Sequence, residues 1–376
     1  MAGPAITGPD LRAIIERFQV HGDLRDVVPW GTGHIHATYR SAFVAEGRVH
    51  RFIHQRINDR VFPDVAGLME NVVRVTGHVA SKVRSAGGDV ERETLALVPT
   101  RDGASHFVTE QHGSWRTYRF IEGTVTHETA SSQDVIHEAA RAFGRFQAML
   151  ADLPAPRLRE VIPGFHDTPA RLAALREAVL RDRAGRAASA AGEIAFAERR
   201  ASSVSRLLDL QASGVIPERI THNDTKLNNV LFDASSGRAL CVVDLDTVMP
   251  GLAAHDFGDA VRLGACAAAE DEPDPSRVEL DLGLFEALAA GTLDATADLL
   301  VPAEVEALPL GAVLMTFECG MRFLTDYLDG DRYFRVRHEL QNLDRCRRHW
   351  RLVEDMENNM EEMTKAVRRH GRKSSC

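Results

Sequence analysis

Cysteine is scarce in this chain and unpatterned: five residues, at 241, 266, 319, 346 and 376, with no CxxC pair among them. That excludes a disulfide framework and a cysteine-built zinc site, and it fits a reducing, cytoplasmic setting. Long apolar runs are missing too. None approaches the roughly 20 residues needed to cross a bilayer, so no membrane partner is expected. No basic stretch followed by an apolar one marks a signal peptide at the N-terminus. Positive charge is not in excess. The formal net charge is -9, which argues against general nucleic-acid binding. The basic cluster over 365–373 reads as a solvated helix end and tail. The sequence shows no internal repeat and no low-complexity linker.

What is present is the composition of a soluble globular protein, 44% apolar and 26% charged over 376 residues, enough for two lobes each with its own core. The expected fold is α+β, two-lobed and protein-kinase-like. A small N-terminal lobe over 1–122 would hold an antiparallel sheet and a helix, and a larger, mostly helical lobe would cover 123–376. Leu11, Ile14, Ile15 and Phe18 at helical spacing predict a helix over 9–19. Ile35, Ala37, Tyr39 and Phe43 alternate before a turn at Glu46-Gly47, and a second run over 49–57 completes a predicted hairpin. A helix is expected over 64–84, then strands near 94–98, 106–110 and 115–120. Beyond Gly123, helices are expected over 133–151, 168–182, 192–212, 256–267, 277–290, 303–328 and 334–367.

Chemistry concentrates in residues 222–244, HNDTKLNNVLFDASSGRALCVVD. Asp224 is followed by Lys226 and Asn229; after a short hairpin over 233–238, an apolar run delivers Asp244. Each residue alone is an ordinary turn or cap residue. In this order they are what phosphoryl transfer needs. One carboxylate orients and deprotonates a hydroxyl, a cation meets the moving phosphate, and an amide oxygen with a second carboxylate holds magnesium. The layout resembles the protein-kinase signature, with HND for HRD and DLD for DFG.

Nucleotide-binding features are expected upstream. Gly31, Thr32, Gly33 and His34 join two strand candidates, where a glycine backbone can approach phosphates. The following strand has no lysine, so Arg56 is the candidate phosphate cation, with Glu70 on the next helix as its candidate partner. Otherwise the two are an exposed strand arginine and a surface carboxylate. The strand end over 118–121 would be the hinge, with Phe120 and Ile121 offering backbone hydrogen bonds to adenine.

These residues resemble the aminoglycoside phosphotransferase and choline kinase superfamily, and within it the bacterial N-acetylhexosamine 1-kinases. The resemblance runs through GTGHIHATY, QRINDRVF, LMENVVRVT, WRTYRFIEGT, HNDTKLNNVLFD, VVDLDTVMPG, HDFGDAVR and ECGMRFLTDYLDGDRYFRV. It implies ATP and Mg²⁺ dependence and transfer of the γ-phosphate to the anomeric hydroxyl of N-acetylglucosamine or N-acetylgalactosamine. By the same resemblance Asp224 is the base, and Asn229 and Asp244 are the magnesium ligands. Arg322 and Tyr333 stand where sugar-binding residues are found. An Arg fork can span vicinal hydroxyls and a Tyr can wall a sugar ring; their bland alternatives are a buried ion pair and a core aromatic. One departure is His36, where many relatives have Asn.

Flanking residues have lesser expected roles. Asp246 would touch a second magnesium or be a solvated strand end. His222 would hold the loop backbone, and Asp256 and Asp259 would cap a helix and brace that loop. A kinase for an aminoglycoside or a choline-like alcohol is the alternative enzyme, and a pseudokinase binding module the alternative of another class. The complete set of Asp224, Lys226, Asn229 and Asp244 speaks against the module. The interval from Asp244 to Asp256 is too short for a peptide-docking segment.

Overall fold

The structure is a computed structural model that describes residues 8–31, 35–129 and 132–371. The chain divides into two compact units. The first comprises 1–124, 152–163 and 240–249; the second comprises 125–151, 164–239 and 250–376. Two later segments thus join the N-terminal part, which the expected single cut at 122 did not foresee.

The first unit runs α1 (Gly8–Ile15), β1 (Asp23–Pro29), β2 (Ala37–Ala45), β3 (Arg48–Arg56), α2 (Val65–Ser85), α3 (Val90–Glu93), β4 (Leu97–Val98), β5 (Phe107–Thr109) and β6 (Gly113–Arg119). Its antiparallel sheet has the order β1-β2-β3-β6-β4, with β5 also on β6. β2 and β3 pair from Ala37↔Arg56 to Ala45↔Arg48. Between them Glu46 (φ 51) and Gly47 (φ 75) are both left-handed, the two-residue turn whose twist matches a hairpin. α1 stops short of the expected 9–19 because Phe18 leaves the helix to bridge Thr100. Buried Phe18, Phe43, Phe52 and Trp115 form the core with Leu11, Ile14 and Ile15. α2 starts where Asp64 accepts the Gly67 N–H at 2.8 Å, an N-cap. The 152–163 segment is tied to α2 by buried Asn71, whose Nδ2 donates to the Arg159 carbonyl (2.8 Å) and whose Oδ1 accepts the Arg159 N–H (3.0 Å).

Later elements are β7 (Thr124–Val125), α4 (Gln133–Leu150), α5 (Thr168–Arg181), α6 (Ala191–Arg199), α7 (Arg206–Ala212), β8 (Arg219–Thr221), β9 (Val230–Asp233), β10 (Ala239–Val242), β11 (Met249–Gly251), α8 (Ala253–Gly264), α9 (Leu282–Thr296), α10 (Pro302–Asp329), α11 (Gln341–Asn358) and α12 (Met360–Gly371). The expected helix over 192–212 is two helices, α6 and α7. The long helix expected over 334–367 begins only at Gln341 and breaks at Asn359. Its front is held as a loop by buried Asp326, whose carboxylate accepts the N–H groups of Arg332, Tyr333 and Phe334 at 2.8, 2.8 and 2.9 Å. Three backbone donors on one carboxylate outcompete a helical turn there.

α10 is long and apolar enough, by length and composition, to cross a membrane, but its apolar stretch is 83% buried inside the protein. It is the core helix of the second unit, packed with Phe257, Phe285 and Trp350 among others. α8 meets it backbone to backbone. A Cβ on Gly258 would lie 2.3 Å from the Gly311 carbonyl oxygen, and one on Gly311 2.2 Å from that of Ala254. Only glycine permits that approach.

Candidate active site

In the second unit the loop after β8 carries Asp224, Lys226 and Asn229 and brings them together. Lys226 Nζ lies 2.9 Å from Asp224 Oδ1. Asn229 Nδ2 donates to the Asp224 carbonyl at 2.9 Å and to its Oδ2 at 3.2 Å. Partial burial pushes the Asp224 carboxyl up, but Lys226, by charge and hydrogen bond, and His222 outweigh it and hold the carboxyl below the ordinary aspartate range. The Asp224 carboxylate in turn pushes the Lys226 ammonium up. With its amide nitrogen turned to Asp224, Asn229 leaves Oδ1 without a donor among the described residues, as a metal-binding amide oxygen requires.

The loop is braced from several sides. Asp256 Oδ2 and Oδ1 accept the N–H groups of His222 (2.9 Å) and Asn223 (2.7 Å). Asp259 accepts that of Thr225 at 2.8 Å, and Thr225 Oγ1 donates to the Asp256 carbonyl at 2.6 Å. Both carboxylates lie inside α8, whose N-cap is Leu252, so they brace the loop but do not cap the helix. Burial pushes the Asp256 carboxyl up to about 6, against the bonds from His222 and Asn223. His222 accepts the Asp224 N–H at 3.3 Å and lies edge-on to Phe143 and Phe146, a loop-holding place. Asn223, next to Asp224, is left-handed at φ 63, a conformation that persists only where neighbours enforce it.

Two further groups anchor this loop that sequence reading missed. His166 places Nδ1 3.0 Å from Glu318 Oε1 and Nε2 3.3 Å from the Asn223 carbonyl oxygen. Thr168 Oγ1 donates to Glu318 Oε2 at 2.6 Å. Burial alone would raise the Glu318 carboxyl; His166 and Thr168 hold it below the usual range. Glu318 did carry a sequence signal. A carboxylate in the apolar run of α10 is costly unless paired, so a partner had to exist.

At the far end of α10, Arg322 rests with Cζ 5.5 Å from the Phe165 ring centre and 5.7 Å from that of Phe334. Among the described residues it makes no ion pair or hydrogen bond, so the structural ion pair is not its role. Tyr333 is 63% exposed, not a core aromatic, and meets Phe334 edge-on at 4.8 Å. Phe334 thus joins the two residues. Arg171 lies close enough for Arg322 to depress its guanidinium, after burial.

In the first unit Asp244 is left-handed at φ 60. Asp246 is not a solvated strand end; its carboxylate and the ligand atoms of His36 and Asp244 lie within 4.8 Å of one another, a group that could hold a metal ion. Asp246 is buried, and Arg116 grips both its oxygens, Nη2 to Oδ2 at 2.8 Å. His36 donates to it from Nε2, because Nδ1 accepts the Asn58 N–H at 3.1 Å. Burial would raise the Asp246 carboxyl, but Arg116 and His36 hold it far below the aspartate range. Arg116 went unread in the sequence, although an arginine among the buried aromatics of β6 signals a hidden anion.

The expected Arg56–Glu70 pair is not formed. Glu70 Oε2 is taken at 2.8 Å by Arg159 Nε, because the 152–163 segment lies along that face of α2. Arg56 has no ion pair among the described residues. At the expected hinge the Phe120 N–H is used by the Arg51 carbonyl (3.1 Å) and the Ile121 carbonyl by Thr124 Oγ1 (2.9 Å). Two of its backbone groups are thus already occupied. Phe120 meets Trp30 edge-on at 5.7 Å, next to Gly31. Thr32, Gly33 and His34 lie outside the described residues.

An antiparallel N-terminal sheet with one long helix, followed by a mostly helical part carrying the Asp224 loop, is a kinase-like fold. Similar solved structures cover nearly the whole chain. An aminoglycoside phosphotransferase from Alicyclobacillus acidocaldarius matches at 12% identity over 98% of each chain, TM-score 0.59. A choline kinase from Cryptosporidium parvum matches at 14% identity over 96% of this chain and 99% of its own, TM-score 0.53. A spectinomycin phosphotransferase solved with ADP and spectinomycin matches at 11% identity over 96% and 100%, TM-score 0.54. The model of the phosphotransferase enzyme family matches residues 92–291, more than half of the chain. The chain belongs to that family.

Proposed function

We propose that the protein is an ATP- and Mg²⁺-dependent small-molecule kinase that phosphorylates a sugar hydroxyl, before all the anomeric hydroxyl of an N-acetylhexosamine. The observation that carries this reading is Arg322, a guanidinium against two aromatic rings with no carboxylate partner, beside an exposed Tyr333. Five donors in no hydrogen bond or ion pair among the described residues suit the hydroxyl and carbonyl oxygens of a neutral acceptor, and the rings suit the apolar face of a pyranose. A polycationic aminoglycoside or a choline would instead call for carboxylates there. Arg322 with Arg171 nearby weighs against both.

In this reading Asp224 accepts the proton of the acceptor hydroxyl, kept ionised by Lys226. Lys226 also offers its charge to the moving phosphate. Asn229 and Asp244 would hold Mg²⁺, which when bound neutralises charge on the phosphates. Arg56 and Gly31 serve the nucleotide, with the Phe120 carbonyl and the Ile121 N–H, the two groups of that backbone not taken by Arg51 and Thr124. ATP consumption measured against N-acetylhexosamines, free hexoses, choline and aminoglycosides tests the reading. An N-acetylhexosamine is expected as the preferred acceptor; turnover of choline or an aminoglycoside alone would overturn it. Arg322→Ala should raise the acceptor KM about 10- to 100-fold, since a hydrogen bond from a charged donor contributes about 1.5–3 kcal/mol. The ATP KM should hold. With no ion pair to lose, its stability should fall only by the ring contacts, about 0.5–1 kcal/mol.

A further inference from the structure

We infer that His166 is a positioning residue held as an imidazolium, tying the peptide bond in front of Asp224 to Glu318 of α10. The inference rests on the reading of Asp224 as the base. Its two ring nitrogens face a carboxylate, Glu318 Oε1 at 3.0 Å, and a backbone carbonyl, Asn223 O at 3.3 Å. Neither partner has a proton to give. A neutral imidazole has one N–H and satisfies only one of them, whereas the imidazolium satisfies both.

The place of the second bond gives this charge its use. The Asn223 carbonyl belongs to the peptide that carries the Asp224 nitrogen, and Asn223 is the left-handed residue of the loop, at φ 63. Asp256 holds its N–H at 2.7 Å. The strained residue is therefore gripped by an acid on its N–H side and a cation on its carbonyl side. The groups facing His166 are Glu318 and, through it, Arg322 from α10 and Arg171 from α5, then His255 and Asp256 from α8, and Thr168 from the start of α5. The His255 ring lies 5.0 Å away, and burial keeps it neutral, down at about 3. Glu318 is thus the anion matched to His166. It stands one helical turn from Arg322, on the same face of α10.

A ring with a single N–H would leave either Glu318 Oε1 or the Asn223 carbonyl without its donor, and the loop would loosen. Two variants separate the bonds. Asn puts its amide nitrogen near Nδ1 and keeps the Glu318 bond; Gln reaches the Nε2 place and keeps the Asn223 bond. His166→Asn should lower kcat by about 10²-fold, the scale of a slightly misplaced reacting group, with the nucleotide KM little changed. His166→Gln should retain most of kcat. Equal kcat losses in the two variants, in step with equal losses of melting temperature, would mean a purely structural role and overturn the proposal. Nitrogen NMR of the labelled imidazoles, assigned with His166→Gln, reads the protonation without turnover. Two protonated nitrogens at neutral pH are expected, and one unprotonated nitrogen would sink the idea. Failure of the wild type to phosphorylate any acceptor would instead count against the proposed function.

Discussion

Asp224 shows how a single residue is tuned. Lys226 at 2.9 Å keeps its carboxyl ionised, so it can take a proton at neutral pH. Asp224→Asn keeps the shape and removes the basicity. Turnover should fall by about 10²–10⁴-fold while nucleotide affinity, measured by calorimetry, stays the same; near-normal turnover would refute the base. Asp244→Ala should abolish magnesium-dependent turnover, and Asn229→Ala should weaken magnesium use less, because a neutral amide is the poorer ligand for a hard cation. Magnesium titrations of activity check both, and an unchanged requirement in the Asp244 variant would refute its role. Asp224, Lys226 and Asn229 could be read from sequence because their geometry is local, set within one loop. Arg116 and His166 could not. Their partners lie 130 and 152 positions away, and nothing in linear spacing points across such distances.

Among the elements, α8 has the clearest titration signature. Asp256 is buried and its carboxyl stands at about 6 against a model-compound value of 3.8. A carboxyl raised on folding stabilises the fold most when protonated. Its contribution is full below the unfolded value and declines as pH climbs through the folded one. Relative to Asp256→Asn, which cannot titrate, the wild type should therefore lose stability between about pH 4 and about pH 7, by on the order of 3 kcal/mol at most. Chemical denaturation of both proteins at the two pH values measures the gap, and a gap that widens in the wild type's favour would contradict the burial argument. Element boundaries were legible where one signal ruled, as in the β2–β3 hairpin with its Glu46-Gly47 turn. They failed where a tertiary bond overrode periodicity. Phe18 left α1 for a bridge to Thr100, and Asp326 unwound the front of the expected last helix.

At the scale of the whole molecule, the segments over 152–163 and 240–249 join the N-terminal unit through contacts that no composition shift announces. Asn71 is the clip for the first of them. Asn71→Ala leaves both backbone groups of Arg159 without their partner, at about 1–3 kcal/mol for each group that stays buried. A lower melting temperature and faster proteolysis near residue 159 are expected. A variant that melts like the wild type would show that solvent replaces Asn71 without loss.

The glycine contact between α8 and α10 has a consequence for how such a protein can diversify. Gly258 and Gly311 leave no slack between the two backbones, so neither helix can slide or accept a larger residue at the crossing without disturbing the other. α8 carries Asp256 and Asp259; α10 carries Glu318 and Arg322. Loop geometry and the placement of Arg322, the proposed acceptor-binding residue, are therefore inherited together. A lineage that changes its acceptor would have its freedom elsewhere, in the short stretch around exposed Tyr333, which Asp326 holds by three backbone bonds and which Arg186 and Asn342 hold through Asp331.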